Sequence, residues 1–87
     1  MTRSINILYF AWVRERIGIA EEQVSLAEEV NTIADILKML TDRDATYAAV
    51  LSDPEKLRFA LDQDYGTPAS SIGSARELAI FPPVTGG

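Results

Sequence analysis

The residues best placed to do chemistry are the last two, Gly86 and Gly87. A carboxylate on Gly87 would stand on an arm without side chains. Such an arm fits a narrow channel in which any Cβ would clash. Pro82 and Pro83 come just before it, fix φ and favour an extended stalk. The residue ahead of each proline is also pushed away from helix. From Phe81 to Gly87 the extended reach is roughly 20 Å, at about 3.3 Å per residue. That is far enough for the carboxyl group to enter a buried site in a second protein. On these residues alone two readings stand: an idle, frayed terminus, or a stiff spacer (Pro82, Pro83) carrying a thin tip (Val84, Thr85, Gly86, Gly87).

Elsewhere the means of catalysis are sparse. The chain has no Cys and no His, so it lacks a thiolate nucleophile, a sulfur ligand and the commonest general base. Lysine occurs only as Lys38 and Lys56. Asp62 and Asp64 flank Gln63, and paired carboxylates can do acid–base work; in a chain with no second layer to form a pocket, a solvated turn is the favoured reading. Arg14-Glu15-Arg16 reads as a charged surface. No metal site is expected. Thirteen acidic against 8 basic residues give a net charge of −5. That balance argues against a nucleic-acid binder, whose phosphates need a basic footprint. It suits solubility and docking on a basic protein surface.

The elements that must position the tail can be read from periodicity. At 87 residues the chain is one domain, expected over residues 1–81, with residues 82–87 as its extended tail. No apolar run approaches the ~20 residues of a membrane helix. The start enters a strand pattern with no secretory signal ahead of it, so a cytoplasmic location is the expectation. Ile5–Trp12 reads as a central strand, with Ile5, Ile7 and Tyr9 on one face and Leu8, Phe10 and Trp12 on the other. Gly18 punctuates the following turn, and Gln23–Ala27 reads as a second strand pairing with the first. Thr32 is a good N-cap with Asp35 three residues on. Ile33, Ile36, Leu37 and Leu40 then make one apolar helical stripe. A shorter helix over Asp44–Leu51, a strand over Leu57–Leu61, a loop over Asp64–Gly73 with room for a brief strand, and a last strand over Glu77–Phe81 complete the pattern.

The order ββ-α-β-β, with strongly apolar first and last strands, predicts an α+β fold. It is a mixed sheet of about four to five strands with one main helix across one face. With the terminal strands as parallel central neighbours this is the β-grasp, or ubiquitin-like, arrangement. Alternation then sends Phe10, Trp12 and Phe81 to the open face, beside the exit of the tail. A large exposed apolar patch marks a partner site.

The ending Phe81-Pro82-Pro83-Val84-Thr85-Gly86-Gly87 resembles that of the small, sulfur-carrying subunit of molybdopterin synthase. The opening Ile7-Leu8-Tyr9-Phe10-Ala11, with Val13-Arg14-Glu15 and Gly18, is similar to the start of the same family. The likeness spans nearly the whole chain. Ser74-Ala75-Arg76-Glu77 departs from the family's usual Asp-Gly-Asp-Glu turn, and Leu61-Asp62 from its Val-Asn pair. The resemblance implies that the Gly87 carboxylate is adenylated by an ATP-dependent activating enzyme and becomes a thiocarboxylate. It also implies that the tail is buried in the large subunit, where the sulfur goes to cyclic pyranopterin monophosphate to build molybdopterin. The implied partners are that large subunit (in a two-plus-two heterotetramer), the adenylating enzyme and a sulfur-donor protein. No permanently bound cofactor, nucleic acid or membrane is implied; ATP belongs to the activating enzyme. The chain on its own would be a non-catalytic, sulfur-donating subunit. A ubiquitin-like modifier, a carrier for thiamine or tRNA thiolation, and a plain β-grasp interaction module are the competing readings.

Overall fold

A computed structural model describes residues 3–83, which form five strands and three α-helices. The strands are β1 (Arg3–Tyr9), β2 (Glu21–Leu26), β3 (Arg58–Leu61), β4 (Asp64–Gly66) and β5 (Glu77–Phe81). The helices are α1 (Ala11–Ile17), α2 (Ile33–Arg43) and α3 (Ala45–Leu51), with a single 3-10 turn at Pro54–Lys56. The sheet order is β2-β1-β5-β3-β4. Neighbours run antiparallel except β1 and β5, which pair in parallel at the centre, as their apolar character predicts. This is the β-grasp arrangement.

The helices cover one face. Ile5, Ile7 and Tyr9 from β1, Val24 and Leu26 from β2, Phe59 from β3, and Leu78 and Ile80 from β5 are all buried against them. The α2 stripe Ile33, Ile36, Leu37 and Leu40 closes the core from above, each residue no more than 4% exposed. Burial of such side chains is the main source of stability in so small a domain. Thr32 and Asp35 start α2 with a reciprocal capping box. The Asp35 N–H donates to Thr32 Oγ1 at 3.2 Å, and the Thr32 N–H donates to Asp35 Oδ2 at 3.1 Å. The Asn31 N–H donates to the same carboxylate at 2.9 Å. These backbone donors hold the Asp35 carboxyl below the usual carboxylate range. Asp44 ends the link between the helices by capping α3 through the Thr46 N–H, at 2.7 Å.

Two features depart from the sequence reading. The first strand stops at Tyr9, and Ala11–Ile17 is helix rather than strand and turn. Val13 is buried, and Trp12 and Ile17 pack on the core. Gly18 is the left-handed cap of this helix, with φ 94° and its N–H on the Arg14 carbonyl at 2.8 Å. The second departure is the Asp62-Gln63 turn, which is more than a solvated loop. Both residues have positive φ, 48° and 74°, and they join β3 to β4 as a two-residue hairpin turn. Asp62 Oδ1 accepts from the N–H groups of Arg76 and Glu77, each at 3.0 Å. The carboxylate thereby pins the start of β5, the strand that leads into the tail.

A partly buried polar contact ties α3 to the sheet. Glu22 Oε2 accepts from Tyr9 Oη at 2.7 Å and from Tyr47 Oη at 2.5 Å, linking β1, β2 and α3. Burial first, then the Glu22 carboxylate, raises both phenols above their ordinary value. Tyr47 is pushed up to about 12. Since the folded state holds these protons more tightly, their contribution is complete below the unfolded tyrosine value near 10. For Tyr47 it is lost as pH rises from there through about 12, and for Tyr9 the loss extends to still higher pH. Stability is therefore expected to fall across that alkaline window. Glu22→Gln should weaken the fold at neutral pH by about 1–3 kcal/mol through the loss of two charge-assisted bonds. Denaturant melts of both proteins at neutral pH and between pH 9 and 12 measure these effects; equal midpoints at neutral pH would show the contact to be energetically idle.

Candidate functional site

The face of the sheet opposite the helices divides into two halves. Over β1 and β2 it is polar: Asn6 Nδ2 donates to Glu21 Oε2 at 3.1 Å, and Gln23 Nε2 to Ser4 Oγ at 3.2 Å. Over β5, β3 and β4 it is apolar. Strand register sets Leu8 beside Ala79, Ala79 beside Ala60, and Ala60 beside Tyr65. Phe81 lies across from Arg58 at the end of the same face. The Phe81 ring meets that of Tyr65 with centroids 6.1 Å apart and a 53° tilt. Such tilted pairs are favourable beyond the area they bury. Arg58 is held along the rim, with Nη1 donating to the carbonyls of Leu57 at 2.9 Å and Glu55 at 3.2 Å.

Two of the three aromatics expected on this face are there. Phe10 continues the alternation of β1 in extended conformation and is 46% exposed. Phe81 is half-buried beside Tyr65. Trp12 is not part of the patch. It sits in α1, packs against the core, and carries the Arg16 guanidinium 5.3 Å from its ring centroid. The expectation failed because it extended period-2 alternation through a segment that is helical. In exchange the structure supplies Tyr65, 84% exposed, which the sequence reading left in a loop. Its signal was weak: a three-residue strand, Asp64–Gly66, between the Asp62-Gln63 turn and Thr67-Pro68.

β5 delivers the chain from this apolar half straight into Pro82 and Pro83, both half-buried. The remaining tail residues Val84, Thr85, Gly86 and Gly87 lie outside the described residues. Among the described residues no group of three or more metal-ligating side chains converges. No described helix is long and apolar enough to cross a membrane. The surface grooves are shallow. One of about 280 Å³ between α2 and α3 is lined by Leu37, Lys38, Ala48 and Leu51. What this site offers is an apolar half-face of the sheet at the root of Pro82 and Pro83.

The family model of the ThiS family matches residues 7–87. The chain belongs to the ThiS family. Within it, the chain is 32% identical over 83 residues to the molybdopterin synthase sulfur carrier subunit of Haemophilus influenzae, covering 95% of this chain and 99% of that protein. It is 34% identical over 85 residues to the subunit of the same name from Chlamydomonas reinhardtii, covering 95% and 98%. Among solved structures it is similar to SAMP1, a small archaeal modifier protein of Haloferax volcanii. That match has a TM-score of 0.76 at 21% identity, over 98% of this chain and 100% of the other. It supports the β-grasp fold that this ThiS-family chain shares with ubiquitin-like proteins.

Proposed function

We propose that this chain is the sulfur-carrier subunit of a molybdopterin synthase, with Gly87 as the residue that bears the sulfur. The observation that carries the reading is the near full-length similarity to subunits of that name, joined to the ending Phe81-Pro82-Pro83-Val84-Thr85-Gly86-Gly87. A free carboxylate is a poor acyl donor. An oxygen of the Gly87 carboxylate attacks the α-phosphorus of ATP in an activating enzyme, pyrophosphate leaves, and the carboxyl carbon gains AMP as a good leaving group. A sulfide equivalent from a donor protein then attacks that carbon and expels AMP, leaving a thiocarboxylate. The carrier needs neither Cys nor His for this, and it has none.

The large subunit is the docking partner. Phe10, Phe81 and Tyr65 present the apolar anchor, and Pro82–Gly87 runs from it into the large subunit's site, where water is excluded from the reactive group. There the sulfur passes to cyclic pyranopterin monophosphate. The carrier itself contributes no acid or base.

Intact-mass measurement after co-expression with an activating enzyme and a sulfur donor tests the proposal. The expected result is a mass gain equal to replacing one oxygen by sulfur, located on the C-terminal peptide. An isopeptide-linked adduct with the mass of a second protein would assign the chain to the modifiers. An unchanged mass would leave the tail without this chemistry.

A further inference from the structure

Among the described residues three large apolar side chains are exposed: Phe10, Ile19 and Tyr65. Phe10 and Tyr65 belong to the open face of the sheet, and strand register places Ile19 there as well. Leu8 lies opposite Glu21, and the Tyr9 N–H donates to the Ala20 carbonyl at 2.8 Å, so the next position sets Ile19 across from Phe10. Along β2, Glu21, Gln23 and Ser25 are exposed, while Val24 and Leu26 are buried under the helices. Alternation therefore puts Ile19 on the side of Glu21 and Gln23, away from the core. The row continues in the other direction. Tyr9 lies beside Ile80, and the Phe10 N–H donates to the Ile80 carbonyl at 3.2 Å, which sets Phe10 beside Phe81. Ile19, Phe10 and Phe81 thus stand side by side across β2, β1 and β5, over about 10 Å at ~4.8 Å per strand. Tyr65 stacks on Phe81 at the far end. The polar pairs Asn6–Glu21 and Gln23–Ser4 lie further back along the strands. Gly18 and Ala20, on either side of Ile19, are small and exposed, so they leave it open to an approaching surface.

We infer that Ile19 is an interface residue, the outer anchor of one continuous apolar strip, Ile19-Phe10-Phe81-Tyr65, that docks the large subunit. The inference rests on the proposed function, in which that subunit receives the tail. The strip includes Phe81, the residue that leads into Pro82, so a partner holding Pro82–Gly87 meets Phe81 first and Phe10 and Ile19 next. A single exposed isoleucine needs no explanation. This one is in register with two aromatic residues at the root of the tail, which makes a contiguous patch rather than a scattered side chain. Such a strip selects a partner surface that is itself apolar and poor in charge, since a polar group pressed against it would lose its hydration without a new bond. The Asn6–Glu21 and Gln23–Ser4 pairs then form a polar rim behind it. A second copy of this chain is the less favoured occupant, because each copy carries a net charge of −5.

The test is calorimetric titration of the full-length chain into the purified molybdopterin synthase large subunit of the same organism. Wild type, Ile19→Thr, Ile19→Glu, Phe81→Ala and Gln23→Ala are compared, with a denaturant melt and a sedimentation run for each. Ile19→Thr keeps the β-branched shape and removes apolar area. It is expected to bind about 3–10-fold more weakly, the worth of part of an isoleucine side chain, with an unchanged melting midpoint. Ile19→Glu should bind more weakly still, and Gln23→Ala should bind as wild type does. Three results overturn the inference while leaving the docking face in place. In the first, Phe81→Ala weakens binding and neither Ile19 variant does. In the second, the Ile19 variants lower the melting midpoint in step with affinity, which makes the residue structural. In the third, wild type sediments as a dimer that Ile19→Glu dissociates, with affinity for the large subunit unchanged, which gives the strip to a second copy. Full affinity in both Phe81→Ala and Ile19→Glu would instead remove the whole face from the interface, and this inference with it.

Discussion

Deleting Gly87 is expected to abolish sulfur transfer in a reconstituted molybdopterin assay while leaving the melting curve nearly unchanged. The two halves of that expectation have separate causes. In the proposed function the chemistry depends on the carboxyl group of Gly87, carried on the side-chain-free Gly86-Gly87 tip. Without Gly87 the new terminus sits one residue, roughly 3.3 Å, short of the reacting carbon. Placement errors of that size remove the benefit of holding reactants together. Among the described residues, by contrast, the last buried one is Ile80, and the hydrogen-bonded sheet ends with β5 at Phe81. Gly86→Val should fail at the same step for a steric reason, since a β-branched Cβ obstructs a tight channel. Retained activity in the chain lacking Gly87 would refute the assignment of the sulfur to that residue. Loss of both activity and stability would mean that the terminus also braces the domain.

Much of this architecture is written in short-range pattern, and the exceptions have physical causes. The α2 stripe and its capping box were legible because period 3.6 and the Thr32–Asp35 pair each act within a few residues of one another. The strand Glu77–Phe81 was legible to the residue because Pro82 ends it. The first helix was hidden. Its start is a left-handed alanine, and alanine carries no signal for that conformation, whereas glycine would have. An apolar run from Ile5 to Trp12 therefore looked like one strand when it is a strand, a corner and the beginning of a helix. Tyr65 was hidden for another reason. Only the pairing of β4 with β3 turns a loop tyrosine into a neighbour of Phe81, and that pairing follows from the Asp62-Gln63 turn. The Glu22 contact joins residues 13 and 25 positions apart, which no local pattern encodes.

Leu40→Ala is expected to show the reverse of the tail deletion. Leu40 is fully buried at the end of the α2 stripe, together with Ile33, Ile36 and Leu37. Truncation removes apolar contact and leaves a cavity, at a cost of about 2–5 kcal/mol. A domain of this size has only about 5–15 kcal/mol in total and lies toward the low end, so the loss is a large share of it. The open face is formed on the opposite side of the sheet from α2. Each folded molecule should therefore still accept and pass on sulfur at the normal rate. Activity should fall only by the unfolded fraction at the assay temperature, and cooling should restore it. Denaturant melts paired with thiocarboxylation rates at two temperatures measure both quantities. If Leu40→Ala kept its full stability but lost sulfur transfer, α2 would have to meet a partner directly. The division between a structural helix layer and a working sheet face would then be wrong.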